Sequence, residues 1–162
     1  MFRKMRRAKQ QLPDEKAVEI LERNQHGVLS LLGDEGFPYG VPISYVYHDG
    51  ALFFHSAKSG HKVDAVRNYE KATFCVVDQS QVVPEKFTNY FRSAIAFGTI
   101  KIIEDLEEMR RITSVLAMKY ASDHKAEISS RVDASIKNMT IFKLTIEHLT
   151  AKEAMELINM RK

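Results

Sequence analysis

Phe37-Pro38-Tyr39-Gly40-Val41-Pro42-Ile43-Ser44-Tyr45-Val46-Tyr47, then a turn at His48-Asp49-Gly50, then Ala51-Leu52-Phe53-Phe54-His55-Ser56-Ala57: this stretch, running on to Asn68, decides how the chain folds. Val41, Ile43, Tyr45 and Tyr47 alternate with different neighbours, the period of two that a half-buried strand needs. Asp49-Gly50 tolerates positive φ at both central turn positions, so the run Ala51 to Phe54 is expected to pair antiparallel with the first. A polar loop follows, with His55, Ser56, Lys58, Ser59, His61 and Lys62, and His61 to Asn68 then reads as a short helix with Val63 and Val66 on one side. Hydroxyls and potential cations beside the unpaired N–H groups of a helix start favour an anion, and this chemistry suggests a phosphate.

The rest of the chain is bounded by its length and composition. At 162 residues, with 44% hydrophobic and 28% charged residues, it is expected to form one domain over residues 12–162, preceded by a basic arm over residues 1–11. The net charge is +3, and much of the excess is local, because Arg3, Lys4, Arg6, Arg7 and Lys9 precede any acidic residue. That run lacks interleaved aromatics beyond Phe2, so it reads as a solvated or partner-covering arm rather than a nucleic-acid contact. No stretch approaches the roughly 18 to 20 apolar residues of a membrane helix, and no apolar signal core follows the charged start. A cytoplasmic protein with no membrane partner is the expectation. Cys75 lies inside the apolar run Ala72 to Val77 and reads as a small core residue rather than a nucleophile.

Taken in order, a flexible arm to Gln11 gives way to a helix announced by Pro13-Asp14-Glu15, with Ala17, Ile20 and Leu21 on one face and an end before Gly27. Val28 to Leu32 reads as a strand that turns at Gly33-Asp34-Glu35-Gly36 into the organising hairpin, making the first three strands a meander. Lys71 to Val77 is a fourth strand. Gln79 to Arg92, interrupted by Pro84, has no clean period and reads as a long, partly ordered excursion of the kind that carries function or forms interfaces. Ser93 to Ile103 alternates as a long strand in which Gly98 marks a bulge or a close backbone approach. Leu106, Met109, Ile112, Thr113, Leu116 and Tyr120 recur at three and four, so a core-facing helix starts at Glu104-Asp105, with Met109 and Met118 as packing residues. Thr140 to Glu147 is the last strand, and Thr150-Ala151-Lys152-Glu153 matches a capping box opening a terminal helix.

Six antiparallel strands with helices between them predict a mainly β fold with peripheral helices, curled into a small closed or partly closed barrel, since closure disposes of sheet edges. Dinucleotide and P-loop fingerprints are missing from the sequence. His55 and His61 stand without the spacing or acidic neighbours of a metal site, and no nucleophile elbow occurs.

Beyond these readings, Phe37 to Tyr47, Phe54-His55-Ser56-Ala57 to Gly60-His61-Lys62, Val83-Pro84-Glu85-Lys86-Phe87, and Tyr90-Phe91-Arg92-Ser93 followed by Phe97-Gly98 together resemble the Nim-type nitroimidazole-resistance proteins. These belong to the pyridoxamine 5'-phosphate oxidase-like flavin-binding split barrels. The resemblance implies a six-stranded antiparallel split β-barrel of FMN-binding type, forming a homodimer with FMN at the subunit interface. It implies that Val41, Pro42, Ile43 and Ser44 run along the flavin ring, although such a strand also serves as ordinary core. It places Ser56, Ala57, Gly60, His61 and Lys62 at the phosphate, and His55 beside the flavin as the catalytic residue. Tyr90 to Ser93 and Phe97 fall near the interface or the ring. The implied function is an FMN-dependent oxidoreductase that reduces small electron acceptors such as 5-nitroimidazole-like nitroaromatics. A non-enzymatic flavin- or haem-binding protein of the same fold remains the alternative, with a pyridoxamine-phosphate-oxidase-like enzyme behind it.

Overall fold

Asp49 and Gly50 both adopt positive φ, 47° and 74°, in the computed structural model, which describes residues 1–161. Their turn joins β3 (Val46–His48) to β4 (Ala51–Ala57), with Val46 opposite Phe53. The rest of the first run does not belong to that hairpin. β2 (Pro38–Ser44) pairs instead with β1 (His26–Leu32), from His26 opposite Ser44 to Leu32 opposite Pro38. The single strand expected over this run is therefore two, divided at Tyr45, and the first three strands are not a meander.

β5 (Lys71–Val83), β6 (Thr88–Ile102) and β7 (Met139–Glu153) complete one antiparallel sheet of seven strands in the order β2-β1-β5-β6-β7-β4-β3. Six strands were expected, and the division at Tyr45 supplies the seventh. Because β2 and β3 are neighbours in the chain yet stand at opposite ends of the sheet, the sheet must curl until its two edges meet at that residue. No ladder closes it there, which gives a split barrel. The Tyr45 N–H bonds to the Tyr120 hydroxyl at 3.0 Å, and its buried phenol donates to Leu21 O at 2.7 Å.

The barrel interior is filled by large side chains that alternate along the strands, among them Leu29, Tyr45, Leu52, Phe54, Phe74 and Phe142. α1 (Asp14–Arg23) adds Ala17, Ile20 and Leu21 to this core, and α2 (His61–Asn68) adds Val63 and Val66. α3 (Leu106–Tyr120) and α4 (Ile128–Ser135) cover the outer face of β4 and β7, where Phe53, Ile112, Leu116, Val132 and Ile141 form a second core. Asp105 caps α3 by accepting from Glu108 N at 2.7 Å, so the helix expected to start at Glu104-Asp105 begins one residue later, at Leu106. Met118 departs from its expected packing role and is 38% exposed. α5 (Met155–Asn159) ends the described chain. No described helix is long and apolar enough to cross a membrane.

Two further expectations are corrected. Gln79 to Arg92 is not a loose excursion, because β5 and β6 continue as a paired hairpin past a register shift between Val77 and Gln79, and Pro84 sits in its turn, outside the ladder. Thr150 to Glu153 does not open a helix, because these residues complete the ladder with β6 and leave Ala154 to precede α5. The arm is tied at both ends: the Phe2 ring stacks on His148 at 4.5 Å, and Gln11 forms an antiparallel bridge with Lys152.

Candidate functional site

β2 forms a ladder with β1 alone, so its other edge is unpaired, and such an edge tolerates a proline that has no N–H to donate. Pro42 is exposed opposite Val28, Val41 and Ile43 are half-buried with Ile43 packing on the barrel core, and Ser44 is half-buried opposite His26. The end of β4 supplies the next three residues. His55 is exposed, Ser56 turns inward with 5% of its surface exposed, and Ala57 is exposed again, as strand alternation requires. The Ser56 hydroxyl is buried without a hydrogen-bond partner among the described residues. A buried polar atom left unpaired costs on the order of 1–3 kcal/mol, a cost that a hydrogen-bonding partner at this position would remove.

The loop then enters α2 through Gly60, whose φ of 120° favours glycine. No side chain caps this helix; Gly60 O accepts from Val63 N at 2.8 Å and Asp64 N at 3.2 Å, while the amides of His61 and Lys62 have no acceptor within the first turn. Lys62 is half-buried and makes no ion pair among the described residues. The His61 ring points elsewhere. It stacks on Tyr39 of β2 at 4.0 Å and 12°, with Nε2 3.4 Å from the Asp34 amide. Thus His61 ties the start of α2 to the β1–β2 turn and contributes its backbone, not its ring, to the helix end. Ser56, the two amides and Lys62 lie on consecutive elements of the chain, and free amides at a helix start beside a lysine are groups of the kind that hold an oxyanion.

Ser44, on the edge strand β2, and His55, on β4 near the other end of the sheet order, line one cavity of about 300 Å³ with Leu116, Ala117, Tyr120 and Met139. The α3 residues of this wall were read from the sequence as core alone. Tyr120 could not have been singled out, because its role depends on where Tyr45 breaks the strand: its hydroxyl accepts from Tyr45 N and reaches the carbonyls of Tyr45, at 2.7 Å, and Gln25. Burial pushes the Tyr120 phenol up from its ordinary pKa. Lys119 beside it donates to Asn24 O at 2.5 Å and lies 4.3 Å from the Tyr45 ring centre, and burial lowers its pKa.

A second set of charges lies between α1 and the β5–β6–β7 sheet. Arg23, Arg92 and Arg161 line a cavity of about 370 Å³, but Arg23 is held by Asp78 through two bonds of 2.6 Å. Arg92 is held by Asp78 at 3.1 Å and by Glu153 at 3.0 Å, and Arg161 by Glu153. The arginines are committed to carboxylates, so this cavity offers an anion little free charge. Cys75 is half-buried, and burial raises its thiol pKa, which disfavours the nucleophilic thiolate. Among the described residues no cluster of three or more His, Cys, Asp or Glu is placed to hold a metal.

The sequence pattern of the pyridoxamine 5'-phosphate oxidase family matches residues 13–153. A search of curated proteins gives no significant match. Among solved structures, a candidate 5-nitroimidazole antibiotic resistance protein from Bacteroides thetaiotaomicron superposes with a TM-score of 0.74 at 21% identity, covering 88% of this chain and 86% of its own. A conserved hypothetical protein from Mycobacterium tuberculosis gives 0.80 at 16% identity, with 93% and 90% covered. A FAD and haem binding protein from Mycobacterium smegmatis gives 0.78 at 19% identity, with 94% and 80% covered. At these identities the likeness is one of fold.

Proposed function

The chain belongs to the pyridoxamine 5'-phosphate oxidase family, and from that premise we propose that it is an FMN-dependent oxidoreductase, active as a homodimer, that reduces small acceptors such as nitroaromatic compounds. One observation carries the flavin reading: the buried, unpartnered Ser56 hydroxyl stands just before an uncapped helix start that also bears the unpaired Lys62. That set suits the phosphate of FMN. When bound, FMN would supply the redox chemistry: two electrons from the reduced flavin, together with two protons, would convert a nitro group to a nitroso group and water.

The chain's own residues bind, orient and exclude water. Val41 to Ser44 offer the unpaired backbone edge of β2 to the polar rim of the ring, and Pro42 gives an apolar contact without a competing donor. Ser56, the amides of His61 and Lys62, and the Lys62 ammonium hold the phosphate, while Ala57 and Gly60 let it approach the backbone. His55, exposed at the end of β4, gives or receives a proton at its ring nitrogen. The homodimer reading rests on apolar surface left on the sheet, where Val28 and Leu32 of β1 and Val77 of β5 are exposed.

The purified protein is expected to be yellow, to release FMN on denaturation, and, after reduction with dithionite, to be reoxidised faster by nitroaromatics or quinones than free reduced FMN is. A protein that neither carries nor takes up FMN would overturn the reading. The likeness to a FAD and haem binding protein, together with an exposed histidine at the site, supports haem binding as the second reading. A Soret band on haem titration, with no uptake of flavin, would favour it.

A further inference from the structure

We propose that the cavity between α3 and the ends of β2 and β4 is the pocket for the electron acceptor, and that Ala117 and Met139 set the size of the molecule it takes. This rests on the flavin reading, since its link to the redox site is made by Ser44 and His55, which line both. The ladder places His55 opposite Ile141, on the face of β4 that α3 covers, so its ring faces the cavity while Ser56 beside it points into the barrel. A molecule in this cavity would therefore touch His55 from the side opposite the barrel core.

The lining specifies the class of ligand. Leu116, Ala117 and Met139 give an apolar body. Two of the polar groups are already engaged: the Thr113 hydroxyl donates to Met109 O at 2.7 Å, and the Tyr120 hydroxyl is bound to the Tyr45 backbone. The His55 ring is left to meet a ligand at the strand side, while the Ser44 hydroxyl lies within hydrogen-bond reach of Tyr120. The occupant is thus a small, mostly apolar molecule with one hydrogen-bonding group directed at His55. A volume of about 300 Å³ lies at the lower end of the range for drug-sized ligands, which suits a single-ring nitroaromatic or quinone and excludes a molecule as large as a second flavin.

The pocket is held open before binding. Asp105 caps the start of α3, and its other end is fixed by Tyr120 on Tyr45 and by Lys119 on Asn24. Within this frame Met139 is the adaptable wall, because an unbranched thioether reshapes at low cost. Ala117 is the narrow one. It also lines the neighbouring cavity of about 370 Å³ between α3 and α4, and a larger residue there would fill the pocket.

The test compares the unmodified protein, Ala117→Phe, and the near-isosteric control Ala117→Ser. The readout is the ratio of the nitrobenzene to the oxygen reoxidation rate at saturating FMN, since oxygen needs no pocket of this size. Reoxidation by nitrobenzene should fall by about tenfold or more in Ala117→Phe, the scale on which lost fit in an apolar pocket discriminates, and should be retained in Ala117→Ser. Equal rates with nitrobenzene in all variants, or an equal loss with oxygen and nitrobenzene, would overturn the assignment. Independently of flavin, nitrobenzene titrated into the apoprotein should shift the methyl resonances of Ala117 and Met139, and shifts confined to other methyls would refute the pocket. If FMN fails to bind but these two methyls respond, the cavity stands as a small-molecule site and its role as an acceptor pocket falls with the flavin reading.

Discussion

Lys62 supplies the full positive charge that the Ser56 hydroxyl and the α2 amides lack, so it separates the phosphate from the ring. Losing one charge-assisted hydrogen bond costs about 1.5–3 kcal/mol, or roughly 10- to 150-fold in affinity. Lys62→Ala should weaken FMN by that factor and leave riboflavin, which has no phosphate, nearly unaffected in parallel fluorescence titrations. Equal weakening of both would assign Lys62 to the ring or the fold. Gly98 shows the opposite kind of constraint, imposed by packing alone. The β6–β7 register shifts between Phe97 and Gly98, and a Cβ there would overlap the Thr145 carbonyl, with its carbon only 2.9 Å away. Gly98→Ala should cost about 1–3 kcal/mol in urea denaturation, the range for overpacking, with the slope of the transition unchanged.

At the scale of elements, the β5–β6 hairpin marks the limit of local reading. Pro84 and the irregular period of Gln79 to Arg92 argued for a loop, yet residue-by-residue pairing from Gln79–Arg92 to Val83–Thr88 satisfies the backbone. The proline only had to fall in the turn. Phe87 at the tip is 98% exposed and Val82 is 71% exposed, apolar surface on a protruding arm that suits a second copy of the chain. Replacing both with aspartate should leave circular dichroism unchanged and shift the protein from dimer to monomer in analytical ultracentrifugation. A dimer that persists at micromolar concentration would move the interface away from the hairpin. The capping-box pattern at Thr150 to Glu153 failed for a related reason: the ladder with β6 took these residues before a helix could.

For the molecule as a whole, the ion network joins α1, the β5 bulge, β6, β7 and the residues after α5. Asp78 is its centre, with a side chain only 7% exposed. Burial by itself would raise its carboxyl, but the bonds from Arg23, Asn24 and Arg92 outweigh burial and hold it at about 2, down from 3.8. A depressed folded pKa means that this stabilisation is complete above the unfolded value and is lost as pH falls through the window from 3.8 toward about 2. Allowing for solvent screening, it amounts to about 1–2 kcal/mol. Guanidinium midpoints measured between pH 5 and pH 2 should drop less steeply for Asp78→Asn than for the unmodified protein. Parallel curves would show that Asp78 is not the group that titrates. Light scattering near neutral pH should give twice the 18.6 kDa chain mass, as an interface burying on the order of 2,000 Å² would ensure.

Sequence alone determined whatever rests on local chemistry. Asp49-Gly50 turns because its two positive φ angles suit those residues, and α2 spans His61 to Asn68 because Val63 and Val66 fall on one side of it. Tertiary structure decided whatever depends on partners far apart in the chain. The division of one apparent strand at Tyr45, the joining of Ser44 and His55 in one cavity, the turning of the His61 ring onto Tyr39 and the place of Tyr120 in the site all follow from the curl of the sheet. A strand's alternation tells which residues share a face, but not which edge of the sheet that strand will occupy, because the edge is set by long-range pairing that no local period encodes.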